Sequence, residues 1–149
     1  MALPRKILVP TDFSDAAAAA LDYAIELAAS VGASVHLVHC YSFPILPFEA
    51  PYPVPHEHLA SKLESESRKG LANLVLEHGR PGVEVSASAR LGDARTGIQE
   101  AISDVGADLV CMGTHGRRGL NHLFFGSVAE YTVRVSNVPT LAVRASASA

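Results

Sequence analysis

Five short apolar runs recur along the chain, and stretches of helical periodicity separate them. This alternation restricts the fold more than any other feature. The runs begin at Lys6, Ser34, Val83, Leu109 and Thr140. Runs of four to eight residues rich in Val, Ile and Leu read as buried parallel strands. The third, residues 83–89, alternates apolar and polar and reads as a strand with one more exposed side. The order β-α-β-α-β-α-β-α-β implies a parallel sheet with helices on both faces and right-handed crossovers.

The intervening helices carry their own start and stop signals. Ser14 is a good N-cap for a helix over residues 16–31, Asp15 complements its dipole, and Gly32 stops it. Leu21, Ile25 and Ala28 form its inward stripe. A long helix runs to about His78, with Leu59, Leu63, Leu71, Leu74 and Val75 as its apolar positions and a charged first half that reads as a solvated face. His56-Glu57-His58 reads as its entrance rather than a metal site. Ile98, Ala101, Ile102 and Val105 mark a third helix ending at Gly106, and Gly92-Asp93 forms the turn before it. Val128, Tyr131, Thr132 and Val135 mark the last helix face. Residues 42–55 contain Pro44, Pro47, Pro51, Pro53 and Pro55, a density that excludes helix and central strand and reads as an extended connecting loop. Residues 145–149 read as a frayed tail.

A chain of 149 residues suits one domain, residues 1–149, and 48% hydrophobic with 18% charged residues places it among globular proteins. The formal net charge of −3 gives no basic field for nucleic acid, and no apolar run approaches membrane-spanning length. The first strand follows so soon after Met1 that no signal peptide is expected. Cys40 and Cys111 both fall in strand-like runs and read as buried reduced thiols. His36 and His39, three apart on one strand, point to opposite faces and do not share a metal. The expectation is a cytoplasmic protein.

Chemistry concentrates in residues 113–127. An apolar strand ends at Met112-Gly113, a basic loop with His115, Gly116, Arg117 and Arg118 follows, and Gly126-Ser127 opens a helix. Glycines admit an anion close to backbone N–H groups, and a helix N-terminus offers orphan donors with partial positive charge. The pattern is neither G-x-x-x-x-G-K-[ST] nor G-x-G-x-x-G. There is no G-x-S-x-G elbow and no zinc-type Cys/His spacing. Asp12, at the end of the first strand, has no paired carboxylate; it is placed to hold a ribose hydroxyl or a phosphate-bound cation. Two readings stand on these residues alone: an anion site, or a tight βα loop whose basic side chains are solvated. In open α/β sheets ligands bind outside the carboxyl ends of the strands. Pro10-Thr11-Asp12, His39-Cys40-Tyr41 and the glycine motif all fall there.

Gly113-x-x-Gly116, nine residues, then Gly126-Ser127 resembles the G-2x-G-9x-G-[ST] nucleotide motif of the universal stress protein family. Residues 7–14 resemble that family's first strand and turn, and residues 112–116 and 138–143 its fourth and fifth strands. The resemblance implies a five-stranded parallel sheet of order 3-2-1-4-5, a Rossmann-like sandwich of the HUP type. It also implies membership of the branch that binds ATP (or ADP or AMP) with Mg²⁺ or Mn²⁺ on the phosphates. Carried onto this chain, Pro10, Thr11 and Asp12 line the nucleoside side and Cys40 meets adenine through its backbone. Met112, Gly113, His115, Gly116 and Arg117 surround ribose and phosphate. Gly126, Ser127, Val128 and Ala129 hold the phosphate tail, and Asp12 is the candidate cation contact. The same resemblance implies a homodimer formed through the last strand, between Thr140 and Arg144. The expected role is a nucleotide-dependent regulatory module with an unidentified protein partner. The alternatives are a slow ATP hydrolase, since no base for an attacking water is evident, or a nucleotide-free scaffold.

Overall fold

The computed structural model describes residues 2–43, 56–115 and 126–145. The elements are β1 (Lys6–Pro10), α1 (Asp15–Val31), β2 (Ser34–Tyr41), α2 (His56–His78), β3 (Val85–Leu91), α3 (Ala94–Val105), β4 (Leu109–Gly113), α4 (Ser127–Val135) and β5 (Thr140–Val143). The strands form one parallel sheet of order β3-β2-β1-β4-β5. This is the expected order. The core of the Pro-rich loop and the end of the tail lie outside the described residues.

Alternation along the central strands fills both faces. Ile7, Val9, Val35, Leu37 and Cys111 pack with Leu21, Ile25 and Ala28 of α1 and Leu71 of α2. Leu8, Val38, Val110 and Met112 pack on the other face with Ile98 and Ile102 of α3 and Ala129 of α4. The chain thus leaves β1 for one face, through α1, and leaves β4 for the other, through α4. Because β1 and β4 are neighbours, their carboxyl ends open a crevice at the point where the winding reverses.

The caps agree with the sequence. Ser14 accepts a hydrogen bond from the Ala17 amide at the start of α1. Gly32 (φ 75°) and Gly106 (φ 69°) end α1 and α3 in the left-handed region, where glycine carries no Cβ penalty. Asp93 proves to be the N-cap of α3, accepting from the Thr96 amide.

Two expectations need correction. The third strand starts at Val85 rather than Val83, because residues 80–83 close a turn in which the Val83 amide donates to the Arg80 carbonyl. The ladder then extends to Arg90 and Leu91, opposite Cys40 and Tyr41, since β2 is long enough to pair them. The inward face of α4 is also rotated: Ala129 and Thr132 are buried, whereas Val135 is 46% exposed. A small residue there brings the helix close to the sheet, and the Thr132 hydroxyl is satisfied by donating to the Val128 carbonyl.

Close contact also explains Gly97. A Cβ there would stand 2.5 Å from Cys40 Sγ, so the glycine lets α3 rest on the end of β2. Gly97→Ala is expected to destabilise the fold by about 1–3 kcal/mol through overpacking. Cys40→Ala in the same chain should recover most of that loss, which a double-mutant cycle of urea-unfolding midpoints measures.

His36 spans the β2–β3 edge: Nδ1 lies 2.7 Å from Ser86 Oγ and Nε2 2.8 Å from Ser88 Oγ. Burial, with Lys6 and Arg90 nearby, holds its pKa below the ordinary 6.5. The folded state therefore prefers the neutral ring. Its contribution is whole above the unfolded value and is lost as pH falls through the lower folded value. Denaturation midpoints of the wild type should drop further between pH 7 and pH 5 than those of His36→Gln.

Candidate functional site

The carboxyl ends of β1, β2 and β4 and the start of α4 meet around the crevice. Pro10, Asp12 and Cys40 are half-buried there, and Thr11 is buried. The turn after β1 is tied by its own side chains. Thr11 Oγ1 accepts from the Phe13 amide and Asp12 Oδ1 from the Ser14 amide, both at 3.0 Å. The Thr11 amide donates to the Val38 carbonyl at 2.9 Å, which extends the β1–β2 pairing beyond Pro10. Asp12 is thus presented at the start of α1 rather than lost in a loose loop.

On the other side of the crevice, Thr114 is buried and bonded three ways. Its amide donates to the Val143 carbonyl of β5 (3.1 Å), its carbonyl accepts from the Gly126 amide (2.5 Å), and its hydroxyl pairs with His115 Nδ1 (2.9 Å). The last of the backbone bonds fixes the N-cap of α4, Gly126, against the end of β4, although ten residues of chain lie between Gly126 and His115. Sequence reading passed over Thr114, since a threonine among glycines after a strand looks like any loop residue.

The α4 N-terminus differs from those of α1 and α3. Gly126 is its N-cap and supplies no side-chain cap bond. The first intrahelical bond runs from the Glu130 amide to the Gly126 carbonyl, so the Ser127, Val128 and Ala129 amides belong to the orphan set of a helix start. Gly126 has φ −60° and ψ 155°, angles open to any residue. The backbone therefore does not demand glycine here. Ser127 is exposed, while the Val128 and Ala129 side chains turn toward the core.

The remaining expected residues divide by role. The Met112 side chain is 5% exposed within the α3–α4 core, so only its backbone remains for the crevice. Gly113 has a packing reason of its own: a Cβ would stand 2.8 Å from the Ala16 carbonyl oxygen of α1. Gly116 and Arg117 lie outside the described residues. Burial raises the pKa of Cys40, and it pushes that of Cys111 up to about 12, with Cys111 Sγ donating to the Ala20 carbonyl. Neither thiol is primed as a nucleophile. Among the described residues no group of three or more His, Cys, Asp and Glu is arranged for a metal, and no helix is long and apolar enough to cross a membrane.

Comparison with known proteins fits this architecture. The chain matches the universal stress protein family over residues 4–144. It is 31% identical to universal stress protein MJ0531 of Methanocaldococcus jannaschii over 95% of this chain and 83% of that protein. It is 29% identical to universal stress protein MJ0577 of the same organism over 94% of each. The solved structure of MJ0577 superposes with a TM-score of 0.80, covering 99% of this chain and 100% of that one at 28% identity. A universal stress protein family protein from Arabidopsis thaliana, solved with AMP bound, shares the fold at a TM-score of 0.66 and 19% identity, covering 97% of this chain and 94% of that one. A sheet of order 3-2-1-4-5, a crevice at its winding reversal and a family match spanning nearly the whole chain agree: this protein belongs to the universal stress protein family.

Proposed function

We propose that the crevice binds an adenine nucleotide, ATP by the motif it carries, and that occupancy makes the protein a regulatory module rather than an enzyme of ordinary turnover. One observation carries the reading. The helix α4 starts at a glycine that gives no side-chain cap and that its dihedral angles do not require, tied to the end of β4, the strand beside β1, whose turn carries Asp12. An N-terminus of this kind attracts an anion through first-turn amides that have no intrahelical partner and a partial charge of about +0.5. A side chain at Gly126 would stand where a phosphate approaches. The AMP held by the Arabidopsis relative supports the ligand class.

The chain's residues take distinct parts in this reading. The Ser127 amide and hydroxyl, with the Val128 and Ala129 amides, receive the phosphate tail, and His115, oriented by Thr114, stands beside it. Pro10, Thr11 and Asp12 line the nucleoside side, with the Cys40 backbone at the base. Gly116 and Arg117 complete the phosphate loop in the motif. Asp12 is the one carboxylate in this set, and no multi-ligand cluster accompanies it among the described residues. The set therefore suits a Mg²⁺ or Mn²⁺ ion held chiefly by phosphate oxygens, with Asp12 as the chain's contribution. Such an ion neutralises phosphate charge.

The same reading includes a homodimer. β5 lies at the sheet edge, its four residues are all half-buried, and Val133 and Val135 of the adjoining α4 are 48% and 46% exposed. An apolar edge strand of this kind favours pairing with a second copy. Sedimentation equilibrium is expected to give twice the chain mass, and Ala142→Pro, which removes a donor from the open edge of β5, a single chain mass.

Mass spectrometry of gently released ligand is expected to find an adenine nucleotide, and calorimetry to rank ATP, ADP and AMP by phosphate number. Gly126→Ala should weaken ATP at least about tenfold, equivalent to roughly 1.4 kcal/mol, with unchanged unfolding. Hydrolysis should stay well below about 1 s⁻¹, the lower end of ordinary enzymes. A wild-type protein that binds none of the three nucleotides refutes the reading.

A further inference from the structure

We infer that His39 is a positioning residue for the adenosine end of the crevice, acting by clamping a strained turn. The inference rests on the nucleotide reading above and assigns work within that same site.

Phe13 carries it first. Its φ is 65°, and among the described residues it alone combines positive φ with a side chain. For a bulky residue the left-handed region is an outlier that persists only when its surroundings enforce it. Those surroundings can be named. The Phe13 amide is held by Thr11 Oγ1. Its ring centroid stands 4.5 Å from that of His39, tilted by 49°. On α2, Gly70 lies so close to the ring that an added Cβ would fall 2.8 Å from it.

His39 closes the arrangement. Its Nδ1 is 2.7 Å from the Thr11 carbonyl oxygen. A carbonyl only accepts, so Nδ1 carries the proton and donates. Thr11 is then gripped by β2 at both of its backbone polar groups: its amide by the Val38 carbonyl, its carbonyl by His39. The residue after His39 is Cys40, whose backbone faces adenine in the proposed site. One side chain therefore ties together the two strand ends that flank adenosine and keeps Phe13 in its strained conformation. The turn is preorganised before ligand arrives, and preorganisation shows as affinity.

A clamp on the adenosine end predicts a loss independent of phosphate number. His39→Ala is expected to weaken adenosine, AMP and ATP by one common factor of about fivefold to tenfold, the size of a lost hydrogen bond. Gly126→Ala, by contrast, should cost more with each added phosphate and leave adenosine unchanged. His39→Asn places an amide nitrogen where Nδ1 stood and should restore affinity to within about twofold. If His39→Ala does not fold, Gly70→Ala replaces it: the change favours the helix and displaces the Phe13 ring from a distance, and the same uniform loss is expected. Wild-type binding with no loss in these variants, a loss that grows with phosphate number, or no recovery in His39→Asn overturns the inference while leaving the nucleotide reading intact. Failure of the wild type to bind any of the three ligands overturns both.

Discussion

Thr114 is the residue on which the geometry of the crevice depends. Its backbone N–H joins β4 to β5 through Val143, and its carbonyl joins β4 to the start of α4 through Gly126. Those two bonds, with the packing of Ala129 on the sheet, set the first-turn amides of α4 against the carboxyl end of β4. A helix N-terminus attracts anions anywhere, but it becomes a site only when something holds it opposite the rest of the ligand. Burial makes this tie firm: Thr114 is 3% exposed, so water competes little for its bonds.

The two sides of the crevice are built by different means. The α4 side keeps its first-turn amides outside the intrahelical ladder and begins at a glycine that gives no side-chain cap and has no backbone need to be glycine. The β1 side spends nearly everything it has. Thr11 and Phe13 are tied to each other and to β2, Asp12 is tied to Ser14, and the strain at Phe13 is held by packing against His39 and Gly70 of α2. This division suits a nucleotide, whose charged tail needs open donors and whose nucleoside needs a rigid wall. It also accounts for the glycines separately. Gly97 and Gly113 allow helices to approach strands, so glycine content near a site does not by itself count phosphate contacts.

The fold was legible because its signals are local and repeated. Ile7, Leu8 and Val9 on β1 and the Ser14 and Gly32 caps of α1 need no tertiary information to be read. The strand order came from family likeness rather than periodicity, since the runs alone do not say which strands are neighbours. Where the reading slipped, tertiary contacts decided. Pairing with a long β2 moved β3 toward Leu91, and close approach to the sheet turned α4 onto Ala129. The site was legible as a motif but not as a mechanism. Thr114, Phe13 and His39 act through partners distant in sequence: on the residues alone His39 is excluded only from sharing a metal with His36, and its bond to Thr11 is a tertiary contact.

The central claim is that the first-turn amides of α4 receive phosphate. Amide chemical-shift titration of isotopically labelled protein with ATP tests this at single residues. The Ser127, Val128 and Ala129 amides should shift most, together with the Thr11 and Asp12 amides, while Ser86 and Ser88 on the distant β3 edge stay in place. Saturating shifts elsewhere on the molecule with the three α4 amides unmoved would contradict the account.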